Sequence, residues 1–511
     1  MSQESREKHN QHPVAQQYAK LGEGEGGDNA TPVSRKNLIA LMAGPIIALF
    51  LLLLPTPETM PLEAWRLVAL AAWMMIWWLG EAIPIPATAL LPIVLMPLLG
   101  IAEIKTVTSS YGDPLVFLFL GGFLLAAAMQ RWGLHRRIAL KIVSAVGTSP
   151  GNIIAGFMLA TAFLSMWISN TATAIMMYAV GISVIGFIAQ KTTDKSMVRN
   201  FAVALMLGIA YSASIGGVGS LIGTPPNALL ASFLNSTYDI QIDFFTWMKF
   251  GVPVVIVMLP IAWLVLTKLI FPVSELKIGD AGSVISGEIK TLGRMCKGEQ
   301  AVAIVFGGAA LGWIFRQQLV ALTGLPITDT TIALSAALLL FAWPISREHG
   351  HFAVDWGAAR HVPWGVLILF GGGLALAMGF KETGLAEWIG VQVSGFEVAT
   401  WMLIFIILVA IVYLTEITSN TATTATFLPI LGAVAIGLNI DPQLLAIPVA
   451  MAASMAFMMP VATPPNAIVF CYEDLYLSDM VKAGFWLNII AIGVSFCAIY
   501  LLAGTVFGIS T

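Results

Sequence analysis

Ser169-Asn170-Thr171-Ala172-Thr173 returns unchanged as Ser419-Asn420-Thr421-Ala422-Thr423. Each copy stands near the middle of an apolar stretch, 151–190 and 400–437. Each stretch is about twice the ~20 residues that cross a bilayer as one helix. Downstream of the copies lie Thr224-Pro225-Pro226-Asn227-Ala228 and Thr463-Pro464-Pro465-Asn466-Ala467. Upstream, Leu120-Gly121-Gly122-Phe123-Leu124 leads to Trp132-Gly133-Leu134, and Gly371-Gly372-Gly373-Leu374 leads to Thr383-Gly384-Leu385. One such match is weak in a biased composition. Three in the same order and similar spacing are evidence for duplication.

The composition fixes the solvent. The chain is 58% hydrophobic and 10% charged, where a soluble domain carries about 25% charged residues. A chain so poor in charge cannot coat a water-facing surface, so lipid surrounds most of it. The net charge of −3 says little, because placement matters more than the sum. Cys296, Cys471 and Cys497 are scattered without a CxxC spacing and read as packing residues. Residues 1–37 are polar and hold no apolar run, so they are no signal peptide and are expected to be a disordered cytoplasmic tail.

Beyond the two long stretches, about 11 apolar runs reach spanning length. They begin near Leu38, Ala64, Pro84, Pro114, Phe201, Phe250, Ala301, Thr330, Trp364, Gln443 and Ala483. The fold class is therefore an all-α polytopic membrane protein. Each long stretch is a helix pair, either two full spans or one re-entrant hairpin, and hydropathy leaves both open. With the N-terminus inside, only Arg66, Lys105, Lys249, Arg316 and Lys381 of the 25 basic residues fall outside. The positive-inside rule favours that threading. It puts the N-terminus in the cytoplasm and the C-terminus outside, in a cell inner membrane. A first half, 38–272, then joins a second, 300–511, through a cytoplasmic linker, 273–299. The first long stretch has both ends inside and the second both ends outside, so the repeats are inverted. Transporters built this way place their sites where broken helices from both halves meet. Leu134–Val146 suits an interfacial amphipathic helix, with Glu382–Val393 as its counterpart outside. Trp73, Trp77 and Trp78 read as an interfacial belt or packing.

The motifs suit an ion beside an anion. Proline breaks a helix and frees the carbonyls before it, here near Ile222 and Gly223 or Val461 and Ala462. Such carbonyls are ligands for a hard cation. Asn offers an oxygen to a cation and an NH₂ to a carboxylate, and Ser and Thr hydroxyls do either. A helix starting just after each motif points its positive end at the site. No Lys or Arg lies in either motif, so a bound Na⁺ would supply the missing positive charge. Glu416 is the one ionisable residue inside the second stretch and pairs with a polar group, faces a cavity or titrates. Asp113 reads as an ordinary helix cap. His349, His351 and His361 cluster in a cytoplasmic loop and read as solvated. An intramembrane enzyme would need a His/Glu metal cluster or a Ser/His or Asp/Asp pair within the spans, and the spans offer no such set.

At these motifs the chain resembles the divalent anion:sodium symporter family, which includes the bacterial INDY-type dicarboxylate transporters. The resemblance runs from Leu38 to the C-terminus. It implies two re-entrant hairpins with the motifs at their tips, and a homodimer whose transport domain moves like an elevator. It implies one Na⁺ site at Ser165, Ser169, Asn170 and the backbone near Gly223, and a second at Thr415, Thr418, Asn420 and the backbone near Ala462. Substrate carboxylates would meet Ser169, Asn170, Thr171, Thr224, Pro225, Ser419, Asn420, Thr421, Thr463 and Pro464. The expectation is Na⁺-coupled uptake of C4-dicarboxylates such as succinate, malate or fumarate by alternating access. The partners would be the dicarboxylate, the co-transported Na⁺, the lipid bilayer and a second copy of the chain, with no organic cofactor and no nucleic acid. The alternatives are a Na⁺-independent dicarboxylate exchanger and a tricarboxylate or sulfate carrier on the same fold.

Overall fold

The computed structural model of the chain describes residues 35–509 apart from 193, 274–281, 347–350, 361 and 396–397. The tail up to Ser34, His349 and His361 lie outside the described residues. Helices α1 (Arg35–Leu53) and α2 (Leu62–Gly80) pack side by side. The tryptophans of α2 serve packing: Trp78 is buried, Trp77 Nε1 donates to Leu41 O, and Trp73 meets Trp77 edge to face. The run expected from Pro84 is two pieces, α3 (Ile85–Thr88) and α4 (Leu91–Leu98), each with proline in its first turn. After α5 (Ile104–Ser109) comes α6 (Pro114–Trp132). Asp113 caps α6, accepting from Leu115 N at 2.8 Å and from Ser232 Oγ at 3.1 Å.

Gly133, at φ 73°, turns the chain from α6 into the amphipathic helix α7 (Leu134–Val146). That left-handed backbone favours glycine. Then follow α8 (Pro150–Ser165), α9 (Asn170–Lys191), α10 (Lys195–Gly217) and α11 (Pro225–Tyr238). Helix α12 (Phe244–Leu264) ends in a wider π-type turn, Val265–Ile270. The stretch read as a linker holds a helix, α13 (Gly282–Leu292). Helices α14 (Lys297–Ile314) and α15 (Arg316–Thr323) meet at 80°. Helix α16 (Asp329–Ala342) leads to a small antiparallel hairpin, β1 (Pro344–Ser346) and β2 (His351–Phe352), and to α17 (Trp356–Ala359). The order of the first half then returns. Helix α18 (Trp364–Glu382) turns at Gly384, φ 75°, into α19 (Leu385–Val393). Next come α20 (Thr400–Thr415), α21 (Asn420–Gly437), α22 (Pro442–Ala453), α23 (Pro464–Phe470) and α24 (Leu477–Phe507).

Among the described residues, eight helices are long and apolar enough to cross a membrane, or nine if α14 and α15 form one bent span. The sequence suggested about 11 spans besides the hairpins. The gap arises because an apolar run does not become one straight helix. The runs near Leu38, Pro84, Thr330 and Gln443 yield shorter helices, as do the first arms of both long stretches, α8 and α20. The cysteines also differ from expectation: all three are exposed. An apolar surface facing lipid carries the same residues as a core, so composition cannot separate the two.

The centre is α10, buried without interruption from Phe201 to Gly217. It packs on α8 and α9 of its own half and on α23 of the other. In turn α11 packs on α18, α21 and α22. Each broken helix thus sends its second piece into the opposite half. Without a hydrophobic drive in lipid, such contacts rest on close packing and hydrogen bonds.

Each ion pair among the described residues joins groups that the threading assigns to one face. Arg131–Asp355, Arg136–Glu288, Arg137–Glu299 and Arg199–Asp479 lie on one, and Arg316 with Asp243 and Asp329 on the other. The Arg131 guanidinium holds the Asp355 carboxyl below the usual range. Arg137 is the deepest: it also donates to Gly293 O at 2.9 Å and Leu292 O at 3.2 Å, tying α7 to α13 and α14. Its side chain is 11% exposed and that of Glu299 5%. Arg137→Ala leaves a buried carboxylate without its cation and should cost about 3–5 kcal/mol. Arg136, 43% exposed, should cost under about 1 kcal/mol on the same change. Thermal unfolding of the detergent-solubilised variants measures both.

Candidate functional site

Four helices begin where the repeated motifs lie: α9, α11, α21 and α23. Pro225 and Pro464 occupy first-turn positions, where a missing N–H costs no hydrogen bond. The threonines before them are extended almost alike, Thr224 at φ −143°, ψ 141° and Thr463 at φ −142°, ψ 149°. A residue preceding proline is driven to that region. Ser169 caps α9, its Oγ accepting from Ala172 N at 3.3 Å, while Ser419 caps α21 without a side-chain bond.

The crossings between α10 and α11, and between α22 and α23, are held open by asparagine. Asn227 Nδ2 donates to Ser220 O at 2.8 Å and lies 3.3 Å from both Gly217 O and Val218 O. Asn466 Nδ2 does the same for Met459 O at 3.0 Å and Ala456 O at 3.4 Å. Sequence reasoning quoted both residues and gave neither a role. The signal was their recurrence directly after Pro-Pro. Thr224 Oγ1 lies 3.5 Å from Ser454 Oγ, so the two crossings are neighbours.

The first motif gathers oxygen. Ser165 Oγ lies against the Asn170 amide and donates to Ala213 O at 2.8 Å. The same end of the Asn170 amide is 3.2 Å from Gly223 O and 3.2 Å from Ala213 O. If NH₂ faces that way, it donates to both carbonyls. If Oδ1 does, four oxygens share one hydroxyl proton, an arrangement that a cation satisfies. Gly217 forms a wall of this cluster, since a Cβ there would lie 2.9 Å from the Asn170 amide and 3.1 Å from Gly223 O.

The second half repeats part of the pattern. Thr415 Oγ1 lies 2.5 Å from Asn420 Oδ1 and 3.3 Å from Ala453 O, again one proton for two acceptors. Thr418 is engaged elsewhere, its Oγ1 2.8 Å from Leu414 O and 2.8 Å from Thr423 Oγ1. Ala462 N donates to Met459 O at 3.2 Å, and among the described residues no hydrogen bond brings Ala462 to Asn420. The carbonyls of Ala213 and Ala453 are the contributors that sequence reasoning missed. Ser169, Asn170, Thr171, Ser419, Asn420 and Thr421 are half-buried at the motif tips, Thr224 and Thr463 are buried, Pro225 is half-buried and Pro464 exposed.

Glu416 takes the first of the alternatives open to it. Its carboxylate accepts from the backbone N–H groups of Phe457 (2.8 Å), Met458 (2.9 Å) and Met459 (2.9 Å) and from Asn488 Nδ2 (2.7 Å). It anchors the second crossing to α20 and α24.

The profile of a family described as "Sodium:sulfate symporter transmembrane region" matches residues 35–509. The chain is 41% identical over 480 residues to a protein of Staphylococcus saprophyticus named sodium-dependent dicarboxylate transporter SdcS, covering 92% of each. It is 41% identical over 486 residues to SdcS of Staphylococcus aureus, covering 94% of this chain and 93% of that one. In fold it is similar to the YdaH transporter of Alcanivorax borkumensis, with TM-score 0.57 and 15% identity over 88% of this chain and 99% of that one. It is also similar to MtrF of Neisseria gonorrhoeae, with TM-score 0.54 and 12% identity over 90% of this chain and 98% of that one. At such identities the likeness concerns the fold alone.

The asparagines of the crossings are testable apart from any ligand. Asn227→Ala and Asn466→Ala each strand buried carbonyls, so each should lower stability by about 1–3 kcal/mol. Thermal unfolding in a buffer of fixed salt reads the loss.

Proposed function

The chain belongs to the sodium:sulfate symporter family, and on that premise we propose that it couples Na⁺ to the uptake of C4-dicarboxylates such as succinate, malate or fumarate. The observation that carries this reading is the pair of oxygen-rich clusters at the motif tips, at Ser165, Asn170, Ala213 and Gly223 and again at Thr415, Asn420 and Ala453. Carbonyl, hydroxyl and amide oxygens gathered in one place suit a small hard cation once the Asn170 amide turns its oxygen inward. Next to each cluster a helix begins, and its free N–H groups suit an anion. One such end in each half suits a substrate with a carboxylate at each end. Na⁺ lends the positive charge that the motifs lack, so anion and cation bind best together. That mutual dependence is what coupling requires.

The relatives' name supports the dicarboxylate. Inverted repeats, an elevator-like movement, a homodimer and a cytoplasmic N-terminus in the inner membrane belong to the same proposal. The one-sided ion pairs support its threading. The family's description favours sulfate as the second reading, with a compact dianion bridging the same helix ends.

Purified protein in liposomes should take up labelled succinate under an inward Na⁺ gradient and fail to do so when choline replaces Na⁺. Equal uptake in choline would turn the protein into an exchanger. Competition by sulfate stronger than by malate would favour the second reading. Asn170→Ala and Asn420→Ala should each cut uptake at least a hundredfold. Gly217→Ala, whose Cβ crowds the first cluster, should abolish Na⁺-driven uptake while the protein still reaches the membrane.

A further inference from the structure

Glu416 is 4% exposed, and among the described residues no Lys or Arg pairs with it. All of its partners are donors: the N–H groups of Phe457, Met458 and Met459 and the Asn488 amide. Such a ring of donors suits a carboxylate, since a neutral acid would have to place an O–H against one of them. Neutral dipoles spread this charge but do not cancel it. A full charge at this depth calls for a counter-charge.

The residue beside Glu416 points to that counter-charge. Thr415 Oγ1 belongs to the second oxygen cluster, 2.5 Å from Asn420 Oδ1. The first half differs at this place. There Met166 follows Ser165 and offers only its backbone carbonyl, which accepts from Ser220 Oγ. Ser220 Oγ also accepts from Gly223 N at 3.1 Å. A neutral serine therefore holds the first crossing, whereas a carboxylate holds the second.

We propose that Glu416 is a positioning residue that makes the second Na⁺ site the tighter of the two, so that it fills first. The proposal rests on the Na⁺-coupled reading above. Both carboxylate oxygens are engaged by N–H groups, so Glu416 acts without ligating the ion. It fixes the crossing next to the site, and its charge lowers the potential there in a medium that screens poorly. The first site has no such charge beside it and fills at higher Na⁺ concentration.

The test is the Na⁺ dependence of thermal stabilisation of the purified protein, without substrate, alongside the Na⁺ midpoint of succinate uptake in liposomes. Glu416→Gln should raise both midpoints about tenfold, with the maximal uptake rate largely restored at saturating Na⁺. Asn488→Ala loosens the same crossing and keeps the charge. It should lower the unfolding temperature and leave the Na⁺ midpoint near the wild-type value. An unshifted midpoint in Glu416→Gln, or an equal shift in Asn488→Ala, would overturn the proposal. Should Glu416→Gln fail to fold, the two sites can be compared directly. Ser165→Ala should retain the low-concentration phase of Na⁺ stabilisation, and Thr415→Ala should lose it; the reverse pattern also overturns the proposal. A wild-type protein that responds to Na⁺ in neither assay would sink the Na⁺-coupled reading itself. A wild-type response with the two sites equal sinks only the ranking.

Discussion

A backbone carbonyl freed inside a bilayer has no water to turn to. The architecture follows from how the interruptions before Pro225 and Pro464 are satisfied. Asn227 and Asn466 take up most of the loose oxygens, each folding its amide under the crossing that precedes it. Further carbonyls, at Gly223, Ala213 and Ala453, face the polar side chains at the tips of the two long stretches. Interruption and site are one feature. The same break that would weaken an ordinary helix supplies ligands that no side chain has to provide.

The two halves solve this problem with different chemistry. The first crossing is closed by Ser220, which bridges Met166 O and Gly223 N. The second is closed by Glu416 and Asn488. The surroundings differ as well. Trp167, at the tip of the first stretch, packs on Phe244 and Phe306 with centroids 5.9 and 5.2 Å away, whereas Ile417 in the matching place is 61% exposed. The two halves share Ser-Asn-Thr and Pro-Pro-Asn and differ in charge and in packing around them.

Much of the frame was legible in the letters. The amphipathic helix Leu134–Val146 was readable to the residue, and the first long stretch, read as 151–190, is Pro150 to Lys191. Polar motifs recurring in an apolar background mark such elements sharply. Other features left no mark. Ala213 and Ala453 contribute through the backbone, which any residue would carry. The partners of Glu416 lie in a different helix and a distant loop, so its task could be narrowed to alternatives and no further. The exposed cysteines show the same blindness from another side: Cys296 caps α14 from the linking stretch, a place that an isolated cysteine in the sequence does not announce. Helix lengths were overread because hydropathy counts apolar residues whether or not they belong to one continuous helix, as the break between Thr88 and Leu91 shows.

The contacts that fasten Arg137 to Glu299, Gly293 and Leu292 hold the stretch between the two halves against the first half. One buried guanidinium thus fixes where α14 starts relative to α7.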